Sequence, residues 1–136
     1  MNPSYRERAR MLREKGYNCA QTVACTFIEH LDIDEEVLFR LMEGFGGGMG
    51  GHQATCGALS GAIAVIGLLH SGGTPASGTK AGTYALAKCA AERFQATSGS
   101  LVCKEILGDE TGVPLTSCER CIEHGLELVQ ALLDLP

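Results

Sequence analysis

Apolar residues recur three and four positions apart along most of this chain, which is the period of a helix with one buried face. Asn2-Pro3 supplies a cap and a first-turn proline ahead of a helix from Ser4 to Lys15, stopped by Gly16. From Asn18 to Leu31 the apolar positions Ala20, Val23, Ala24, Phe27, Ile28 and Leu31 form a second helical face. Asp34 to Met42 reads as a short third helix with Val37, Leu38 and Leu41 inward and its acidic residues favourably at its start. The run from Gly44 to Gly51 holds six glycines and cannot be regular structure cheaply. A wholly uncharged segment from about Thr55 to His70 reads as a buried helix, too short and too rich in Gly and Ser to span a bilayer of about 20 residues. Thr74-Pro75, or a start as late as Ser77, opens a helix to about Ala96. Leu101 to Leu107 and Ser117 to Leu133 complete the set. Alternating strand patterns, repeats and linkers are absent. The expectation is all-α: a compact single-domain bundle over residues 1–136 with glycine-rich loops.

Length and charge narrow the picture. A chain of 136 residues buries one real core without disulfides to hold it. A net charge of -5 and scattered basic residues argue against a nucleic-acid surface. The one basic cluster, Arg6 to Lys15, alternates with Glu7 and Glu14 as the solvated face of the first helix. With no apolar segment near the N-terminus to serve as a secretory signal, the expected setting is the cytoplasm, without membrane insertion. Small residues in the fourth and fifth helices, such as Gly61, Ala64, Gly82 and Ala85, allow close backbone approach and make a homodimer conceivable.

The chemistry lies in seven cysteines. Their odd number, in a reducing compartment, points to metal binding or transient redox chemistry instead of a static disulfide framework. Four follow helix-start signals: Cys19 after Asn18, Cys56 after Thr55, Cys103 three residues after Ser100, and Cys118 after Thr116-Ser117, where Thr116 and Glu119 can form a capping box. Unpaired N–H groups and the positive end of the helix dipole favour a thiolate there, so each thiol is expected below its reference value. Cys25 and Cys89 fall inside helices among apolar neighbours and read as packing.

Cys118-Glu119-Arg120-Cys121 is a C-x-x-C at a helix start, able to supply ligands or an attacking and a resolving thiol. Thioredoxin-like and c-type haem readings fail, the first for lack of strands and the second because Ile122 follows Cys121. The glycine run satisfies a dinucleotide-binding pattern but follows a helix, which excludes that reading. Its glycines, Gly50 and Gly51 with Gly57 beyond, instead let backbone approach the Cys56 sulfur or whatever that sulfur binds, with N–H groups that cradle negative charge. His52 can hydrogen-bond a thiolate or serve as a ligand. His70 suits a helix C-terminus, and His30 and His124 read as surface residues.

Met49-Gly50-Gly51 ahead of Cys56-Gly57-Ala58-Leu59-Ser60-Gly61, with Asn18-Cys19-Ala20-Gln21 upstream and Cys103-Lys104-Glu105-Ile106-Leu107-Gly108 downstream, resembles the C-GCAxxG-C-C family of redox-active proteins. The resemblance spans nearly the whole chain. It implies that four cysteines act together: Cys19, Cys56, Cys103 and, by its spacing to Ile122 and Glu127, Cys118, with Cys121 an extra. That family is in turn similar to the cluster-bearing part of split-Soret cytochromes c, which implies an iron–sulfur cluster of the [2Fe–2S] kind and an unidentified redox partner protein. Three functions stand open: an electron carrier with a cluster on the four thiolates, a thiol–disulfide oxidoreductase using Cys118 and Cys121, and a structural zinc or cysteine module.

Overall fold

The computed structural model describes residues 2–136. Eight helical elements follow in chain order: α1 (Pro3–Glu14), α2 (Cys19–Thr26), α3 (Glu35–Glu43), the single turn α4 (Gly46–Met49), α5 (Gly57–His70), α6 (Lys80–Ser98), α7 (Cys103–Leu107) and α8 (Cys118–Leu132). Short 3₁₀ turns at Ile28–His30 and Pro75–Ser77 join them, and no strand is present among the described residues. The fold is all-α, a single compact unit, as the helical period requires.

The helix starts obey capping chemistry. Asn2 Oδ1 accepts from Ser4 N–H at 3.0 Å with Pro3 in the first turn. Asn18 and Gln21 form a reciprocal capping box on α2. At α8 the cap is Ser117, whose Oγ accepts from Arg120 N–H at 3.2 Å. The Thr116–Glu119 box is not formed, because Thr116 Oγ1 instead donates to the Ser98 carbonyl at 3.1 Å and ties α8 to α6. Ser100 does not cap α7 either. Val102 takes that position, and Ser100 Oγ bridges Val102 N–H and the Glu105 carboxylate. The sixth helix starts at Lys80, later than its sequence suggests, since Gly78 turns left-handed at φ +70 and separates the proline turn from it.

The core lies where α2, α5 and α8 cross. Val23, Phe27, Leu38, Ile66, Phe94, Leu126 and Val129 are fully buried, each contributing about 1.5–3 kcal/mol by leaving water. Close approach is enforced by two glycines: a Cβ on Gly61 would strike the Ala20 carbonyl on α2, and one on Gly125 would lie 2.9 Å from the Ala58 carbonyl on α5. Every residue of α2 after Cys19 is buried, so this short helix is the central post of the bundle. Its N-terminus opens toward the starts of α5, α7 and α8.

Candidate functional site

Five cysteines line a single cavity of about 190 Å³: Cys19, Cys56, Cys103, Cys118 and Cys121, with Arg13, Asn18, Gly47 and His52 at its wall. Cys19, Cys103 and Cys118 are the first residues of α2, α7 and α8, and Cys56 is the N-cap of α5. All four family-pattern cysteines therefore stand at helix starts. Cys25 is fully buried elsewhere, and Cys89 sits on α6 outside the cavity.

Backbone pairing sets two of the sulfurs side by side. Thr55 and Val102 form an isolated antiparallel bridge. Around it Cys56 N–H donates to the Leu101 carbonyl at 2.8 Å, Cys103 N–H to the Ala54 carbonyl at 2.9 Å, and Lys104 N–H to the His52 carbonyl at 2.8 Å. Residues 56 and 103, distant in sequence, are thus held in register by main-chain bonds that no side chain predicts. Missing Cβ atoms make room for the sulfurs: one on Gly57 would collide with Cys19 Sγ, and one on Gly48 with the Cys103 side chain. Gly48 also has φ +61, a left-handed conformation that suits glycine. Of the glycines expected at the site, Gly57 is in contact with it. Gly50 and Gly51 are exposed and have no neighbours at the Cβ position, and the loop presents Gly47 and Gly48 in their place.

Proton affinity separates the five thiols. Cys56 is lowered to about 7, first by a hydrogen bond from Cys121 and then by the N–H groups of Ala58 and Leu59 at the start of α5, against the penalty of burial. The same contact raises Cys121, whose proton stabilises its neighbour, and burial adds to this. Cys103 is raised to about 11, by burial first and then by repulsion from Cys56, Cys19, Cys118 and Asp109. Cys118 is raised by burial and by negative charge on Cys19, Glu119 and Cys56, with Arg13 opposing. The expectation that every helix-start thiol is depressed thus fails at Cys103 and Cys118. One half-turn of dipole does not outweigh desolvation plus several like charges in one pocket.

Cys56 affects the proton affinity of Cys121 more than does Cys118, the other half of its C-x-x-C. On its other side Cys121 Sγ lies 4.0 Å from Ser98 Oγ, which is 2.7 Å from His124 Nδ1. His124 is buried, contrary to its reading as a surface residue, and burial lowers it. Its ring packs edge-on to Phe94. His30 is half-buried and shares a 3.0 Å bond with Tyr5. His70 ends α5 as expected and bonds Thr83 at 2.7 Å.

At the mouth, His52 adopts φ +65 and pairs through Nδ1 with Asp109 Oδ2 at 2.9 Å. That pair stitches the glycine loop to the turn after α7. Arg13, expected with its basic neighbours on the solvated face of α1, instead reaches the cavity wall and holds Glu119 at 3.5 Å and the Tyr17 carbonyl at 3.2 Å. Its alternation with acidic residues looked like an ordinary solvated helix face. Only the turn at Gly16 brings its end of α1 to the start of α2.

Among the described residues, no group of three or more Cys, His, Asp or Glu side chains is drawn together as a single metal ion would require. No helix among them is long and apolar enough to cross a membrane. Neither a curated protein nor a solved structure matches the chain. The model of one family does match, over residues 17–132, a stretch that carries all five cavity cysteines. The chain belongs to the family described as "Putative redox-active protein (C_GCAxxG_C_C)".

Proposed function

We propose that the cavity is a one-electron redox centre in which Cys19, Cys56, Cys103 and Cys118 hold a small iron–sulfur cluster, [2Fe–2S], and that the protein carries electrons to and from a partner protein in the reducing cytoplasm. The observation that carries this reading is the delivery of four thiols, from four separate helix starts, to one cavity. The donor set fits. Three of the sulfurs crowd Cys56 closely enough that negative charge on one raises its neighbours, an arrangement that a positively charged iron centre relieves. A single zinc ion needs its four sulfurs at about 2.3 Å from one point, whereas a two-iron centre takes them in pairs.

When bound, such a cluster takes up and returns one electron. The chain's own part is to exclude water with Ile106 and Leu107, to hold sulfur positions through the Thr55–Val102 bridge, and to offer hydrogen bonds to Cys56 from Cys121 and from the start of α5. Hydrogen bonds to ligand sulfur raise a cluster's potential. Anaerobic reconstitution with iron and sulfide should give about two of each per chain and visible absorbance. Cys103→Ala should abolish both and Cys89→Ser neither; a protein that stays colourless contradicts the reading.

A second reading rests on Cys56 and Cys121, which line the same cavity and are shifted in opposite directions, Cys56 down and Cys121 up. The Cys56 thiolate attacks an external disulfide, releasing one thiolate. Cys121 then loses its proton to water and attacks the Cys56 sulfur, expelling the second thiolate and leaving a Cys56–Cys121 disulfide. Two electrons pass to the external disulfide. A free-thiol count that falls by two per chain in an oxidising glutathione buffer supports this reading, and an unchanged count removes it.

A further inference from the structure

The strongest unexplained feature lies away from the sulfurs. Between Gly44 and Thr79 the sequence contains no Asp, Glu, Lys or Arg, and α5 is its centre. One face of α5 packs into the core through Leu59, Ala62, Val65 and Ile66. The opposite face, Ser60, Ile63, Ala64, Gly67 and Leu68, is left half-buried to exposed at helical spacing. Beside it runs α6, whose buried residues, Ala90, Phe94 and Ser98, all lie in its second half. Its first half continues the open face with Ala87 and Tyr84, the latter 67% exposed.

This hairpin is built, not frayed. His70 bonds Thr83, Gly72 N–H donates to Thr79 Oγ1 at 3.0 Å, and Ser77 Oγ donates to the Thr74 carbonyl at 2.6 Å. At its base the face opens into an apolar groove of about 500 Å³, walled by Ile63, Ala64 and Ala91 and by Leu41, Phe45 and Met49 from α3 and the glycine loop. Leu41 and Met49 are each more than half exposed. The accessible surface of the chain, 7305 Å², exceeds by about 500 Å² the roughly 6,800 Å² of a compact monomer of this mass.

We propose that this face is the seat of a second copy of the chain, the two hairpins packing face to face across a two-fold axis. The occupant follows from charge and shape. Each chain carries a net charge of -5, and the open face of α5 bears no charge, while beside it on α6 Lys88 faces Glu92 at 3.8 Å, so two copies meeting here bring no unpaired like charges together. A two-fold contact needs a self-complementary surface with both projections and hollows. Leu68 and Tyr84 are the projections, the groove is the hollow, and Ser60, Ala64, Gly67 and Ala87 let the helices close. The groove's rim also includes Thr55, next to Cys56, so the contact borders the redox cavity without covering its mouth at His52.

Sedimentation equilibrium of the intact chain, cluster-free and at micromolar to sub-millimolar concentration, should return twice the mass of 14.3 kDa. Leu68→Arg and Tyr84→Arg, both at exposed positions, should each halve that mass with the helical circular dichroism unchanged. Met11→Arg on α1, 56% exposed, should leave it at two chains. A single-chain mass for the wild type at every concentration overturns the proposal and leaves the face to a different protein. A dimer that survives the Leu68→Arg/Tyr84→Arg double variant overturns it as well, since another face then makes the contact. Neither outcome bears on what the cysteines hold.

Discussion

The start of α5 and the start of α7 carry the same local signal and behave in opposite ways. Each places a cysteine at or next to a helix N-terminus, each cysteine is 7% exposed, and the Thr55–Val102 bridge sets them beside one another. Yet Cys56 is pulled down to about 7 and Cys103 pushed up to about 11. The difference lies in what faces each sulfur. Cys56 meets the Cys121 proton and two N–H groups of a fourteen-residue helix. Cys103 starts a helix of five residues and faces Cys56, Cys19, Cys118 and the Asp109 carboxylate. A helix start is therefore permission for a thiolate, and the neighbours decide whether it is used.

The largest consequence is kinetic. In cluster-free protein at pH 7 about half of Cys56 is ionised and about one part in ten thousand of Cys103. Allowing for the lower nucleophilicity of the more acidic thiol, iodoacetamide should modify Cys56 roughly a hundredfold faster. Peptide mapping of a brief labelling reaction measures this, and equal rates would erase the contrast. Cys121→Ala sharpens it from the other side. Removing the donor to a charged acceptor costs about 1.5–3 kcal/mol, so the Cys56 thiolate at pH 7 should fall roughly tenfold, read from its absorbance at 240 nm. Modification of Cys103 should be unaffected or slightly faster.

A smaller effect appears in stability. Cys56, lowered in the fold, contributes stability present above its unfolded value near 9 and lost as pH falls through 7. Cys103, raised, contributes stability present below about 9 and lost as pH climbs toward 11, and Cys25, pushed up to about 12 by burial, acts in the same direction. The urea midpoint of cluster-free protein should therefore decline between pH 9 and 11, with the decline shallower in Cys103→Ala. The smallest effect belongs to Arg13→Gln. Its guanidinium is the last of the influences on Cys118, so alkylation of Cys118 should slow only a few-fold.

The same contrast shows what a linear chain reveals. Helix starts are local, written in Asn18 with Gln21 and in Ser117, and the four cysteines beside such starts could be picked out without coordinates. Proton affinities could not, because burial and like-charge repulsion depend on which starts meet. Cys121 drew attention through its C-x-x-C, but the thiol that most affects its proton affinity is Cys56 at the start of α5, not Cys118 one turn away. Ser98 and His124 gave no signal at all: a serine near a helix end and a histidine next to Glu123 look solvated until α6 packs on α8. The close approach falls to Gly47 and Gly48 and not to Gly50 and Gly51, since a run of glycines does not show where it bends.

Whether the sulfurs meet in one pocket can be read directly by brief oxidation of the native, cluster-free protein followed by mass-spectrometric mapping of the disulfides formed. The account predicts Cys56–Cys121 as the dominant linkage, with any others confined to Cys19, Cys103 and Cys118, and Cys25 and Cys89 left as free thiols. Linkages to Cys25 or Cys89 as frequent as those within the pocket, or a Cys56 that joins none of the other four, would contradict it.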